Sequence, residues 1–334
     1  MTARLAPAVV GLGEALIRLS APELETLDHA RSLDLFVGGA ELNVLTALAA
    51  QGQAVRYITR LADDPLARRI SRDARADGLE LCAESAPGTR TPLYFVEPGV
   101  PPRPSKVFYD RSGSAMRDLR PDSFDWAAVL TGARVAVAGG ITSALGRSPD
   151  EANAAFLAAA TAAGITTAFD VNHRAQMWTW DDCRDATLRL LPSVDILFGS
   201  GRDLAGLLGR DAADTNPDRR TADARAAIER FGLTTVVLRD NADLGTDGVE
   251  VTATVVTAAQ EVISRPAAAR VIDPFGAGDA GLALFLDSFL RGLDLQAVAD
   301  RTALASALQH TTPGDRWILG PLPDLDGDRR RVRR

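Results

Sequence analysis

An α/β fold is predicted, with a mainly parallel central sheet covered by helices on both faces and a small β flap. Three observations predict it. Short apolar runs alternate with Ala-rich stretches of helical character, which is the rhythm of βα units around a parallel sheet. The helical stretches carry recognisable start and stop residues. Two regions, 17–37 and 91–111, break the rhythm with alternating and aromatic residues, the second interrupted by Pro98, Pro101, Pro102 and Pro104. The 334 residues, 46% of them hydrophobic, suffice for one large domain over 1–325. The arginine-rich segment 326–334 offers nothing to bury and is expected to be a disordered tail.

Strands are expected at 8–12, 55–59, 135–138, 166–171, 196–198 and 235–238, each short and apolar, as a strand buried on both faces should be. Between them, one helix starts at Asp63 or Asp64, with Pro65 in its first turn, and stops near Gly78. Another runs over 148–164 through Pro149, Asp150 and Glu151, and a third over 221–232. The two irregular regions form the flap, laid over one edge. No internal repeat or interdomain linker is visible.

Composition excludes several classes. A formal charge of −7 argues against binding nucleic acid by bulk electrostatics. No apolar run is long enough for a membrane span and no leader pattern is present, so a cytoplasmic protein is expected. Cys82 and Cys183 are far apart, without disulfide or zinc spacing. The only lysine, Lys106, stands in Ser-Lys-Val, so a P-loop lysine and a protein-kinase strand lysine are both missing. His29, His173 and His310 are scattered, which removes the zincins. Gly11-Leu12-Gly13 resembles a dinucleotide turn, yet Leu16 replaces the third glycine and no helix follows.

The strongest signal is Asp273-Pro274-Phe275-Gly276-Ala277-Gly278-Asp279-Ala280 at the start of an apolar helix. Small residues there let several backbone N–H groups point at one place, where the helix dipole also favours negative charge. An aspartate at the rim of such an anion hole can take the proton of an attacking hydroxyl. The plainer reading is a glycine-rich turn with Asp279 as a helix-start residue. A second glycine motif, Gly38-Gly39-Ala40-Glu41-Leu42-Asn43, also opens a helix.

Together, in this order, the two motifs resemble the signatures of the PfkB carbohydrate kinases, the ribokinase-like family. The resemblance extends over nearly the whole chain and narrows toward the 2-keto-3-deoxygluconate kinases. It is carried there by Gly13-Glu14-Ala15-Leu16, Tyr94-Phe95-Val96-Glu97, Val107-Phe108-Tyr109-Asp110-Arg111, Asp170-Val171-Asn172-His173-Arg174 and His310-Thr311-Thr312-Pro313-Gly314-Asp315. It implies a ribokinase-like three-layer fold with the flap as lid, ATP and Mg²⁺ as cofactors, and phosphorylation of the C6 hydroxyl of 2-keto-3-deoxygluconate. A monovalent cation stays open. It further implies Asp279 as base, with Gly276, Ala277 and Gly278 as the anion hole. Gly38, Gly39, Asn43, Tyr94, Tyr109, Arg111 and Arg174 would hold the sugar acid. Ser200, Asp203, Arg239, Asn241, Gly276 and Gly278 would face ATP, Asp203 holding Mg²⁺ through water, and flaps would pair into a dimer or larger homo-oligomer.

The arginines add an independent argument, because a planar guanidinium suits a carboxylate whereas neutral sugars are more usually held by Asp and Asn. Fructokinase-like relatives tend to carry Asp at the position resembling Arg18. The plainer reading makes Arg18, Arg111 and Arg174 solvated or structural ion-pair residues, and Tyr94 and Tyr109 flap packing. The nucleotide side departs from the family: Ser200-Gly201-Arg202-Asp203 stands for Asn-x-x-Glu, and a glycine-rich loop gives way to Arg239-Asp240-Asn241-Ala242-Asp243-Leu244-Gly245. Ser200 and Asp203 could simply cap a helix, Gly245 could supply a displaced turn, and Gly281 should weaken its helix. A neutral-sugar kinase and a non-catalytic sugar-acid-binding relative stay as alternatives.

Overall fold

The computed structural model describes residues 6–22, 25–99, 102–210, 217–245 and 247–322; Pro101 and the arginine-rich segment 326–334 lie outside them. The chain opens with β1 (Val9–Leu12), which leads into the flap strands β2 (Leu16–Ser20) and β3 (Asp34–Gly38). Next come α1 (Ala40–Ala50), β4 (Val55–Leu61), α2 (Pro65–Ala76) and β5 (Glu80–Ser85). The flap is completed by β6 (Leu93–Glu97) and β7 (Lys106–Asp110). The main sheet resumes through α3 (Trp126–Leu130), β8 (Val135–Gly139), α4 (Gly140–Ala144), α5 (Arg147–Ala162) and β9 (Thr166–Asp170). It continues with α6 (Trp180–Leu190), β10 (Ile196–Gly199), α7 (Gly201–Leu207), α8 (Pro217–Phe231) and β11 (Thr235–Gly245). β12 (Gly248–Thr257), β13 (Glu261–Ile263), β14 (Ala267–Arg270), α9 (Ala277–Leu290) and α10 (Leu295–Gln309) close the described chain.

Ten strands form the main sheet in the order β13-β12-β11-β10-β9-β8-β1-β4-β5, with β14 also on β12. From β11 to β5 all pairs are parallel. The alternation of strand residues splits the core in two. Val9, Val135, Ala168, Ile196 and Val237 face α1, α2, α9 and α10, while Val10, Ala136, Phe169, Leu197 and Val236 face α5 to α8. That two-sided burial explains why the expected strands read as unbroken apolar runs. The flap is a separate four-stranded sheet, β3-β2-β6-β7, which overlaps the two irregular regions and extends one residue beyond the first at each end, to Leu16 and Gly38.

Helix ends follow their sequence signals. Asp64 caps α2 by accepting from the Ala67 N–H at 2.8 Å, with Pro65 in the first turn. Two expectations need correction. The helix expected from 221 starts at Pro217. No loop follows Leu238: β11 runs on to Gly245 and pairs antiparallel with β12, from Thr235 with Thr257 to Gly245 with Gly248. Gly245, at φ 69°, does supply the displaced turn. The polar residues of this hairpin hide its strand character, because cross-strand pairing outweighs local preference. Gly281 packs closely on α10, where a Cβ would lie 2.4 Å from the Ser306 hydroxyl.

Candidate active site

The parallel strands β1, β8, β9, β10 and the parallel part of β11 end side by side, bringing Gly13, Gly139, Asp170, Gly199 and Arg239 into one row. Ligands bind at this carboxyl edge in open α/β sheets, where neighbouring strands send their connections to opposite faces. α9 points its N-terminus at the row. Its N-cap, Gly276, has φ 76°, and a Cβ there would meet the Asp315 carbonyl at 2.0 Å. No side chain caps the helix, so its first-turn amides stay available to an anion.

Asp279, in that first turn, is buried and accepts a hydrogen bond from Asn43 Nδ2 at 2.7 Å. Burial raises its pKa to about 6, against the Asn43 hydrogen bond and the nearby Arg174 and Arg239. Such a carboxyl is mostly ionised at neutral pH yet remains a usable base. Asp170 at the end of β9 is pushed to about 7 by burial and by Asp279, with Arg174 opposing.

Gly38 and Gly39 are glycines because neighbours press on them. A Cβ on Gly38 would lie 2.9 Å from Asp315 Oδ1, and one on Gly39, at φ 144°, would lie 2.4 Å from the Glu14 carbonyl. Tyr94 donates its hydroxyl to Asp315 and packs against Tyr109, ring centroids 5.8 Å apart. Arg111, just past the end of β7, lies beside the Tyr109 ring, 4.8 Å from its centroid. Its guanidinium is committed, however, donating to buried Glu14 at 3.0 Å, whose other oxygen accepts from Ser114 at 2.6 Å. Arg18 is also committed: it donates to Asp273 at 2.6 Å, Asp315 at 3.2 Å and Ser20 at 2.7 Å, between the Phe36 and Phe275 rings. Structural ion pairing is therefore the role of Arg18. Arg174 differs: it is exposed and makes no ion pair with a carboxylate at hydrogen-bonding distance among the described residues.

A match to the pfkB family carbohydrate kinases spans residues 6–318. The chain belongs to that family. It is 34% identical to a 2-dehydro-3-deoxygalactonokinase of Haloferax volcanii, over 96% of this chain and 95% of the relative. It is 31% identical to a 2-dehydro-3-deoxygluconokinase of Thermoproteus tenax, over 93% and 90%. The crystal structure of a 2-dehydro-3-deoxygluconokinase from Thermotoga maritima superposes with a TM-score of 0.88 at 30% identity, covering 95% of this chain and 97% of that one.

In this pfkB carbohydrate kinase the nucleotide-side candidates are less converged. Ser200 and Asp203 close a capping box on α7: the Asp203 N–H donates to Ser200 Oγ at 3.2 Å and the Ser200 N–H to Asp203 Oδ2 at 2.9 Å. Arg239 donates to Asn241 Oδ1 at 2.7 Å, and its Nη2 would be 3.7 Å from a Cβ on Gly278, so it stands over the anion hole. Asn241 itself is exposed on the hairpin. Among the described residues no group of three or more His, Cys, Asp or Glu is arranged to hold a metal. A magnesium ion would therefore be carried mainly by phosphate and water, as is usual for that ion.

Sequence reasoning left Asp315, Asp273, Glu14 and Glu41 unassigned. For two of them nearby glycines were the available signal: Gly13 and Gly139 are narrow where Glu41 approaches, and Gly38 and Gly276 where Asp315 does. Among the described residues no helix is long and apolar enough to cross a membrane.

Proposed function

We propose that this kinase transfers the γ-phosphoryl group of ATP to the terminal hydroxyl of a 2-keto-3-deoxy sugar acid, with 2-keto-3-deoxygluconate as the first substrate to test. The observation that carries the substrate class is the contrast among the arginines. Arg18 and Arg111 are neutralised by buried carboxylates, leaving Arg174 beside Asp279 as a cation able to take a substrate carboxylate. The relatives named for sugar acids point the same way.

In this reading Gly38, Gly39, Asn43, Tyr94 and Tyr109 shape the sugar pocket. Asn43 Oδ1 is buried without a partner and can accept from a sugar hydroxyl. Asp279 accepts the proton of the attacking hydroxyl. The amides of Gly276, Ala277 and Gly278 stabilise charge on the transferring group, and Arg239 adds a cation above them. Asp203 would hold Mg²⁺ through water, and the ion would supply further neutralisation of the phosphates. The flap excludes water from the transfer. Phe108, 51% exposed on the edge strand β7, supports pairing of flaps between two copies of the chain. An ATP-dependent reaction also suits the cytoplasmic location expected from the sequence.

The test is a turnover panel of 2-keto-3-deoxygluconate, its C4 epimer 2-keto-3-deoxygalactonate, gluconate, fructose and ribose, run beside Asp279→Asn. Sugar acids with the 2-keto-3-deoxy pattern should be preferred. A strong preference for a neutral sugar would refute the assignment.

A further inference from the structure

Glu41 takes no part in the chemistry above, yet the fold is shaped around it. A carboxylate in the first turn of a helix ordinarily points to solvent, where it complements the dipole. Glu41, in the first turn of α1, is instead 3% exposed. Its carboxyl lies in a slot between the ends of β1 and β8. A Cβ on Gly13 would stand 1.9 Å from Oε2, and one on Gly139 2.6 Å from Oε1. These glycines occupy the same level of neighbouring strands, two residues beyond the Gly11–Val137 pairing. Both are therefore conditions for placing this side chain.

The slot holds little to balance a charge. Oε2 has no hydrogen-bond partner. Tyr57 on β4, whose hydroxyl could have reached inward, donates to the Gly13 carbonyl at 2.8 Å. Around the slot stand Asp279 on α9, Asp170 at the end of β9, Glu14 after β1 and Arg111 after β7, and this arginine is paired to Glu14. Two residues along the same helix, Asn43 donates to Asp279.

We propose that Glu41 is a positioning residue that works as an uncharged carboxyl, wedged between the two strands so that α1 holds Asn43, and through it Asp279, at the attacking hydroxyl. Its ionisation adds a negative charge under the site at which the phosphoryl group develops its own, and turnover stops. Burial, reinforced by Asp279 and Asp170 and opposed by a hydrogen bond from the Glu41 backbone N–H and by Arg111, raises its pKa to about 8, so the neutral form prevails at physiological pH.

The inference rests on the proposed kinase activity, so its test has one arm that needs no turnover. In the wild type kcat should fall about tenfold per pH unit above the Glu41 pKa of about 8. Glu41→Ala should lower kcat at pH 7 by roughly 30- to 100-fold and, because Asn43 also lines the sugar pocket, raise the sugar KM by a smaller factor. Glu41→Gln, which reproduces the shape of the neutral acid, should restore most of that loss and abolish the alkaline fall. Infrared difference spectra at pH 7 should show a neutral carboxyl band in the wild type that Glu41→Gln lacks. The proposal is overturned if the wild-type kcat is flat through alkaline pH, if Glu41→Gln keeps the fall, or if folded Glu41→Gln is as impaired as Glu41→Ala. If no sugar is phosphorylated at all, the functional assignment fails, and the infrared band alone decides for or against the neutral carboxyl.

Discussion

On the flap side of the cleft Arg18 and Arg111 are buried and locked to distant carboxylates, whereas on the hairpin side Ser200, Asp203, Arg239 and Asn241 engage near neighbours and stay partly accessible. Arg18 with Asp273 and Asp315, and Arg111 with Glu14, join residues distant in sequence. Ser200 with Asp203, and Arg239 with Asn241, join residues two or three apart. Buried pairs fix a geometry, because either partner left alone would be an unbalanced charge. Local pairs stabilise a helix start or a strand and leave the surface free to meet a ligand.

The largest effect expected falls where the two sides meet. Asp279→Asn should reduce kcat by about a thousandfold or more while calorimetry shows sugar binding retained. The same substitution should stabilise the protein. A carboxyl raised from 3.8 to about 6 costs stability that grows as pH rises through that window, by about 3 kcal/mol once pH exceeds 6. Asparagine removes that cost, so its advantage in urea unfolding should be complete above about pH 6 and vanish below about pH 4, where the wild-type acid is neutral in both states.

Arg111→Met sharpens the contrast next. It strands Glu14 and should cost about 3–5 kcal/mol in unfolding, and Glu14→Gln in the same chain should recover much of the loss. Arg174→Gln breaks the contrast at a residue without such a pair. Stability should hold while the sugar-acid KM rises about 10- to 100-fold, the loss of one charge-assisted contact. The smallest effect belongs to the hairpin side: Ser200→Ala should cost about 1 kcal/mol through its helix cap. An ATP KM unchanged by that substitution would make the pair purely structural, and a large rise would restore it to the nucleotide site.

The glycine geometry of the candidate site was legible because it rests on backbone constraints. Gly276 and Gly39 reveal positive φ or close approach in one dimension, since few other residues tolerate either. Arginine roles were not legible. Arg18, Arg111 and Arg174 are the same residue type near equally suggestive motifs, and only the distant carboxylates separate two clamps from one accessible cation. The β11–β12 hairpin was hidden for a related reason, its strand character coming from a partner that local sequence does not name.

By itself, the order of apolar runs, helix caps and glycine motifs determined an α/β sheet, a flap and a glycine-rich, uncapped helix start, because each follows from steric and periodic rules acting over a few residues. The tertiary structure alone decided which charges are spent on one another and which stay available. Electrostatic partnership depends on distances between residues up to 297 positions apart, as for Arg18 and Asp315, and on the burial that makes those distances matter.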